Sequence, residues 1–269
     1  MLLPTILALT AFLPSTLSCP THTNNRPHAL KRSENTTVEW AYEASFNWGK
    51  LDPAYHLCQD GTQQSPIALS LSNGLSANHI PTFHYPTNTS GNFYNWGYGP
   101  AFTVAHDEQK GWESHPSFTY DNVTVYLKGW HIHAPADHTV AQVRSRAELH
   151  LVHVDASGAE AAVLAIRLDP GNRDSPFFSS LPSMIGFDSP ELQVPATIDL
   201  NVLLDVVLHF NEFWTYRGSL TSPPCTEGIR WFMARQICWT GVAQMREVLR
   251  ASTYSARAEQ EVWLHRINE

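Results

Sequence analysis

The chain has few charged side chains, and basic residues are in deficit. Asp, Glu, Lys and Arg make up 16% of its 269 residues, and 17 basic residues against 25 acidic ones give a formal net charge of −8. Proteins that bind a phosphate backbone rely on clustered Lys and Arg. No nucleic acid partner is therefore expected.

Long apolar runs are also scarce. Beyond residues 2–17, no segment is apolar for long enough to span a membrane, and the C-terminal sequence VWLHRINE is too polar for a lipid-anchor signal. The apolar stretch at 2–17 is itself too short for a spanning helix, and the small residue Ser18 follows it. Residues 1–18 are therefore predicted to be a secretory signal peptide. We expect a secreted, extracellular protein with no stable membrane anchor.

No linker, repeat or low-complexity segment divides the rest of the chain, so one domain is expected over residues 33–269. Residues 19–32 end in Lys31-Arg32, which indicates either a processed leader or propeptide, or an exposed charged pair. Sequons of the N-x-[ST] type begin at Asn35, Asn88 and Asn122 and predict exposed turns, of which one or more carry a glycan. The oligomeric state stays open, a homodimer included.

Cysteine is rare, with four in the chain. Cys19 falls in the predicted leader. Cys238 has apolar neighbours, which favours a buried, unreactive thiol over an intermolecular bridge. Cys58 and Cys225 remain as the other two.

Short runs of alternating apolar and polar residues dominate, separated by clusters of Gly, Pro, Asn and Asp. They indicate a largely antiparallel sheet with strands at 102–105, 123–127, 147–154, 162–168 and 229–237. Helical spacing occurs at 200–208, and again after Thr240, which is predicted to cap a helix reaching Leu249. The fold class is mainly β with a few short helices.

Three histidines form the most informative pattern. His131 and His133 stand in GWHIHAP, and alternation along a strand places both imidazoles on one face. His150 lies in a second alternating stretch, AELHLVH, which can pair antiparallel with the first. Three converging imidazoles are the ligand set of a catalytic zinc site with an open fourth position, and Glu148 could hold the third ligand. With 14 histidines in the chain, ordinary surface or core histidines are the alternative.

Several phrases, in this order, resemble the alpha-class carbonic anhydrases: QSPI at 64–67, AFTV at 101–104, HIH at 131–133, DHTV at 137–140, AELHLVH at 147–153 and WTYRGSLTSPPC at 214–225. The likeness covers about residues 48–260. It implies a single domain on a large, twisted, mostly antiparallel central sheet. It also implies Zn²⁺ as cofactor, carbon dioxide and bicarbonate as substrates, and attack by a zinc-bound hydroxide.

The resemblance assigns roles to further residues. It places Thr221 and Asp137 in orienting the hydroxide, and Cys58 and Cys225 in a disulfide. Around the metal it implies a hydrogen-bond network of Glu148, His138 and Tyr216, and an apolar substrate wall of Val152, Val163, Leu220 and Trp231.

Three positions depart from the family pattern. Asp137 stands where the family has a glutamate, so its contact with Thr221 is expected either to need a closer backbone or to be longer and weaker. Gly129 replaces a glutamine that supports the first ligand. Pro100 replaces the histidine that carries protons, so buffer, ordered water or another histidine, His106 or His79, would have to serve instead. A slower enzyme is expected.

Two other functions stay open. One is a carbonic-anhydrase-like binding domain with impaired catalysis, which the three departures favour and the three retained histidines disfavour. The other is a zinc esterase, which would need polar specificity groups where Val152, Val163 and Leu220 are expected.

Overall fold

The computed structural model describes residues 40–269. The predicted signal peptide at 1–18, the leader at 19–32, Cys19 and the sequon at Asn35 lie outside the described residues. Across the described range, no helix has the length and apolar character needed to cross a membrane.

Strands dominate the described chain, as the alternating sequence predicts. They are β1 (Ala68–Leu69), β2 (Thr82–His84), β3 (Thr89–Asn95), β4 (Pro100–Val104), β5 (Ser117–Tyr120), β6 (Val123–His133), β7 (Thr139–Val140), β8 (Val143–Arg144), β9 (Ala147–Val154), β10 (Glu160–Gly171), β11 (Gln193–Ile198), β12 (Phe213–Ser219), β13 (Glu227–Ala234) and β14 (Cys238–Gly241).

The helices are short and peripheral. The α-helices are α1 (Leu57–Asp60), α2 (Pro176–Ser180), α3 (Asn201–Val206) and α4 (Val242–Arg250), and 3₁₀ turns lie at Tyr42–Lys50, Pro53–Tyr55, Leu71–Asn73, Trp112–Ser114 and Leu208–Phe210.

The two predicted helices are α3 with its following 3₁₀ turn, and α4. Thr240 was expected to cap α4, and this was wrong: Gly241 is the N-cap, and its N–H donates to the side chain of Gln244 (3.0 Å). Thr240 still belongs to β14, where it pairs with Pro170 of β10, so its backbone is committed to the sheet.

An eleven-stranded sheet forms the centre of the described chain, with its main path in the order β11-β3-β4-β6-β9-β10-β13-β12. Strand β14 adds to β10, and β2 joins through β5, which pairs with β6. The ladders are antiparallel except those of β10 with β13 and with β14, which are parallel. A mostly antiparallel central sheet is thus confirmed. A small three-stranded sheet, in the order β1-β7-β8, lies apart from it.

The two faces of the large sheet bury different residue types. On β9, which is buried along its whole length, Leu149 and Leu151 enter the main hydrophobic core. Glu148, His150 and Val152 alternate with them and therefore lie on the opposite face. That second face holds the candidate site.

A β-bulge in β6 decides which way its histidines point. Register with β9 shifts between Leu127 and Gly129. Leu127 and Trp130 both belong to the main core although they are three residues apart. Odd-numbered side chains therefore face the core before the bulge and even-numbered ones after it. Without the shift, strict alternation from Leu127 would turn His131 and His133 into that core. The strand predicted at 123–127 accordingly extends to His133.

Candidate metal centre

His131, His133 and His150 converge on one face of the sheet. His131 and His133 end strand β6, and His150 lies directly opposite His131 on β9. Nε2 of His131 is 3.0 Å from Nε2 of His133, and one ring nitrogen of each histidine lies within 4.8 Å of the others. The structure therefore brings together the three histidines that the sequence singles out.

Hydrogen bonds to the second nitrogen determine which ring atom is free in two of these histidines. Nδ1 of His133 donates to the carbonyl oxygen of Ser255 (2.6 Å), which leaves Nε2 unprotonated. Nε2 of His150 donates to Oε1 of Glu148 (2.7 Å), which leaves Nδ1 unprotonated. An imidazole whose N–H is held by a carbonyl or carboxylate presents its other nitrogen to a metal in a fixed orientation.

The environment favours the neutral form of His131 and His133. Burial holds the pKa of His131 well below its ordinary value, and the neighbouring His133 and His150 lower it further. Burial likewise lowers the pKa of His133, against the opposing effect of Asp137. Neutral imidazoles are the form that binds metal, and three of them suit Zn²⁺ among the common protein metals.

Glu148 is the centre of a buried hydrogen-bond network. Its Oε1 accepts from Nδ1 of His138 (2.7 Å) as well as from His150, and its Oε2 accepts from the backbone N–H of His138 (3.0 Å). The hydroxyl of Tyr216 joins Nε2 of His138 (2.7 Å) to Oγ of Ser65 (3.0 Å). Burial acts to raise the pKa of Glu148, but its histidine partners outweigh burial and hold that pKa well below the usual range.

An apolar wall stands beside His150. Val152 is two residues further along the same face of β9, and its partner on β10 is Val163, which in turn pairs with Trp231 of β13. The Trp231 ring centroid is 4.9 Å from that of His150, and the partly buried Leu220 packs on the same cluster. The four residues expected in a substrate wall are thus neighbours.

Asp137 is buried, but the hydrogen bond expected with Thr221 is not formed. Oδ1 of Asp137 accepts from the backbone N–H of Arg257 (2.8 Å), whereas Oδ2 has no hydrogen-bond partner within residues 40–269. Oδ2 lies 3.6 Å from Nδ1 of His133. Thr221 itself is buried in the turn that follows β12. With one methylene fewer than glutamate, the side chain keeps its anchor at Arg257 and leaves Thr221 without a carboxylate.

His131 lacks the hydrogen bond that orients the other two histidines. Its Nδ1 is buried with no partner in the described part of the chain. Gly129 precedes it by two residues, and a Cβ there would lie 2.3 Å from the carbonyl oxygen of Phe102 and 3.1 Å from Cα of Thr103. A glutamine, or any other side chain, at position 129 would therefore require the backbone of β4 to shift.

The structure places no titratable group at the position expected for a proton carrier. Pro100 begins β4 and is buried. Ala101 pairs with His131, so His106, five residues further along, lies about 16 Å from the site at strand spacing. His79 hydrogen-bonds to the turn that precedes β6, at the far end of that strand, about 25 Å from His131. At these spacings neither His106 nor His79 is a direct neighbour of the three histidines.

Three cysteines and two sequons lie within the described residues. Cys58 and Cys225 form a disulfide, and Cys238 is a free, buried thiol whose pKa burial raises to about 11. Asn88 and Asn122 are exposed, before β3 and in the turn between β5 and β6 respectively. Their glycosylation stays a prediction.

Sequence reasoning missed the residues that act through the backbone or through a turn. Ser255 and Arg257 serve His133 and Asp137 with main-chain groups, which carry no side-chain signature. The Arg257 side chain also donates to the carbonyl oxygens of Ser65 (2.7 Å) and Cys58 (3.2 Å). Trp96, in the turn between β3 and β4, packs against two of the site histidines. The sequence WGYG at 96–99, with two glycines and two aromatic residues, could have indicated an aromatic turn at this place.

Comparison with known proteins identifies relatives over most of the chain. The sequence model of the family described as eukaryotic-type carbonic anhydrase matches residues 43–267. A carbonic anhydrase of Pectobacterium atrosepticum is 30% identical over 204 residues, covering 75% of this chain and 78% of the relative. Dioscorin dioA3 of Dioscorea japonica is 28% identical over 244 residues, covering 89% and 83%. The alpha-carbonic anhydrase of Thermovibrio ammonificans, solved in complex with the inhibitor sulfanilamide, superposes with a TM-score of 0.72 at 25% identity, covering 86% of this chain and 99% of that one.

Proposed function

This chain belongs to the eukaryotic-type carbonic anhydrase family, and we propose that it hydrates carbon dioxide reversibly to bicarbonate and a proton at a zinc ion held by His131, His133 and His150. Its enzymatic class is carbonate dehydratase. The observation that supports zinc most directly is the donor set: three imidazoles with one ring nitrogen each within 4.8 Å of one another, two of them fixed by acceptors on their second nitrogen. When bound, zinc acts as a Lewis acid that makes water a nucleophile at neutral pH.

Glu148 and Ser255 hold the ligand imidazoles so that little reorganisation accompanies metal binding. Glu148 stays ionised, because its pKa is held well below the usual range, and so remains an acceptor for His150 across the physiological range. The wall around Val152, Val163 and Trp231 offers an apolar surface beside His150, which suits carbon dioxide, a small molecule without a net dipole. Thr221 is assigned the task of accepting a hydrogen bond from the attacking nucleophile.

Proton release is the step least supported by this chain. Pro100 cannot carry a proton, and both alternative histidines are distant from the site. The proton must therefore pass to solvent or to buffer, and turnover is expected to depend on buffer concentration.

Secretion is part of the proposal. The apolar stretch at 2–17 is typical of an export signal, and the disulfide between Cys58 and Cys225 is typical of proteins in oxidising compartments. The exposed positions of Asn88 and Asn122 are compatible with glycosylation.

A carbonic-anhydrase-like binding domain with impaired catalysis is the second candidate. The unmade hydrogen bond between Asp137 and Thr221 favours it, and the family includes a relative named dioscorin beside those named carbonic anhydrase. A dedicated zinc esterase has less support, since Val152 and Val163 lie in an apolar cluster rather than among polar specificity groups.

Stopped-flow hydration of carbon dioxide, on protein of measured zinc content, tests the proposal. Rapid hydration that tracks zinc is expected, with loss of both in His150→Asn and of neither in His209→Asn, an exposed histidine paired with Asp205. Bound zinc without hydration would favour the binding domain. Faster turnover of esters than of carbon dioxide would favour the esterase, and absence of zinc binding would refute the metal site.

A further inference from the structure

The three histidines of the metal centre are not supported in the same way. His133 and His150 each have the second ring nitrogen in a hydrogen bond, to Ser255 and Glu148 respectively. His131 has none, because its Nδ1 is buried and unpartnered in the described residues and Gly129 has no side chain to offer. Within the described chain, the contacts that can restrict the rotation of the His131 ring are therefore packing contacts.

The indole of Trp96 is in the position to do this. Its ring centroid lies 5.0 Å from that of His131 and 5.2 Å from that of His133, with interplanar angles of 61° and 63°. These are edge-to-face contacts with both imidazoles of β6, in the separation range where aromatic pairs attract. Trp96 thus touches the unsupported ligand and one of the supported ligands together.

Trp96 is itself held in place from several directions. Its Nε1–H donates to the carbonyl oxygen of Ile132, the residue between the two histidines, at 3.1 Å. Its backbone N–H donates to Gly99 across the turn between β3 and β4 (3.0 Å), and the ring of Tyr98 packs at 4.9 Å. The indole is therefore fixed relative to the same strand that carries the imidazoles it contacts.

We propose that Trp96 is a positioning residue for the metal centre, which orients His131 by ring packing where its hydrogen-bonding support is missing. The proposal rests on the proposed zinc site. It also explains how the site can have a glycine at position 129: the side-chain hydrogen bond that residue 129 of β6 cannot give to His131 is replaced by the packing of Trp96 from the turn between β3 and β4. Removing the partner that orients a metal ligand typically weakens metal binding about 10- to 100-fold.

Zinc affinity of full-length protein, measured by competition with a chromophoric chelator, tests this directly. Trp96→Leu removes the ring and the N–H and should weaken zinc binding about 10- to 100-fold, a loss of the size seen for such partners. Trp96→Phe keeps a ring without the N–H and should fall between Trp96→Leu and wild type. The matched control is Trp239→Leu, whose side chain is 55% exposed on β14, and its zinc affinity should not change.

Two further readouts separate positioning from a structural role. The Co²⁺-substituted protein should show shifted visible bands in Trp96→Leu but not in Trp239→Leu, because the ligand geometry changes only in the former. The rise in Tm that zinc produces should shrink in Trp96→Leu. The proposal would be overturned if Trp96→Leu lowered Tm equally with and without zinc and left the zinc affinity and the Co²⁺ spectrum unchanged. Trp96 would then have only a structural role.

The outcomes also separate this proposal from the proposed function. Wild-type protein that binds zinc but does not hydrate carbon dioxide would refute the function, while a weakened Trp96→Leu would still establish the positioning role. Wild-type hydration with undiminished zinc binding in both Trp96 variants would refute the positioning role alone. If Trp96→Leu does not fold, Trp96→Met decides, because it removes the ring and keeps a long apolar side chain. Wild-type zinc affinity and Co²⁺ spectrum in that variant would overturn the proposal.

Discussion

Asp137→Glu should increase the rate of carbon dioxide hydration, because it should make the contact to Thr221 that the structure lacks. In the present site Oδ1 of Asp137 is anchored at the backbone of Arg257 and Oδ2 has no hydrogen-bond partner in the described chain. Glutamate extends the carboxylate by one carbon–carbon bond, about 1.5 Å. A displacement of about 1 Å in a positioning group changes rates on the order of 100-fold, so a gain of up to about that size is expected.

The added methylene also has a cost that limits the gain. Asp137 has no solvent exposure, and inserting a methylene into a packed site typically costs about 1–3 kcal/mol of unfolding free energy. The variant should therefore be less stable but more active. Denaturant unfolding measures the first effect, and stopped-flow hydration at equal zinc occupancy measures the second.

Two variants test whether the gain acts through the contact with Thr221. Asp137→Asn keeps the size of the side chain, replaces one oxygen by an amide nitrogen, and should not gain activity. In a Thr221→Ala background the gain from Asp137→Glu should disappear, because the two changes act through one contact. Unchanged hydration in a folded, zinc-loaded Asp137→Glu protein, or an equal gain without Thr221, would show that this contact does not limit the enzyme.

Three further predictions concern stability. Burial lowers the pKa of His153 to about 3, so on acidification the unfolded chain takes up the proton before the folded protein does; this histidine leaves the free energy of unfolding unchanged above about pH 6.5 and lowers it by about 1.4 kcal/mol per pH unit below that. His153→Gln should therefore flatten the pH dependence of urea unfolding between pH 7 and 5, and a profile parallel to wild type would contradict this assignment. Reducing the disulfide between Cys58 and Cys225, which are 167 residues apart, should lower the free energy of unfolding by up to about 5 kcal/mol in urea titrations, and an unchanged midpoint under reductant would count against its role. Gly129→Ala should lower the free energy of unfolding by about 1–3 kcal/mol, since its Cβ would lie 2.3 Å from the carbonyl oxygen of Phe102. A thermal unfolding midpoint equal to wild type would show that β4 can move aside.

The three-histidine cluster and the sheet could be predicted because strand periodicity is a local property. Residues two apart on a strand share a face, which makes His131 and His133 a pair, and the alternation around His150 makes antiparallel pairing with them plausible. The mostly antiparallel sheet and the two helices are readable in the same way. Local sequence does not determine which face of the sheet His131 and His133 occupy. That face depends on the bulge between Leu127 and Gly129 and on the packing of Leu127 in the main core.

The environment of the ligands was less predictable, because it is built from distant segments. Arg257 reaches Asp137 across 120 residues and does so with a backbone N–H, which any residue type could supply. Whether a shorter carboxylate is compensated depends on the position of the backbone around it, and Oδ2 of Asp137 has no hydrogen-bond partner in the described chain. The sequence marks Gly129 as a missing support, but only the structure shows that the approach of Phe102 enforces it and that Trp96 lies against the unsupported ring.

Titration of zinc-free protein with zinc, with hydration of carbon dioxide followed by stopped flow at each point, tests the central claim most directly. The structure offers one cluster of three histidines among the described residues, formed by His131, His133 and His150. The rate should therefore rise linearly to one equivalent of zinc and then stay constant, and the rise should be absent in His150→Asn. Hydration that does not depend on zinc, or that persists in His150→Asn, would contradict the assignment of catalysis to this site.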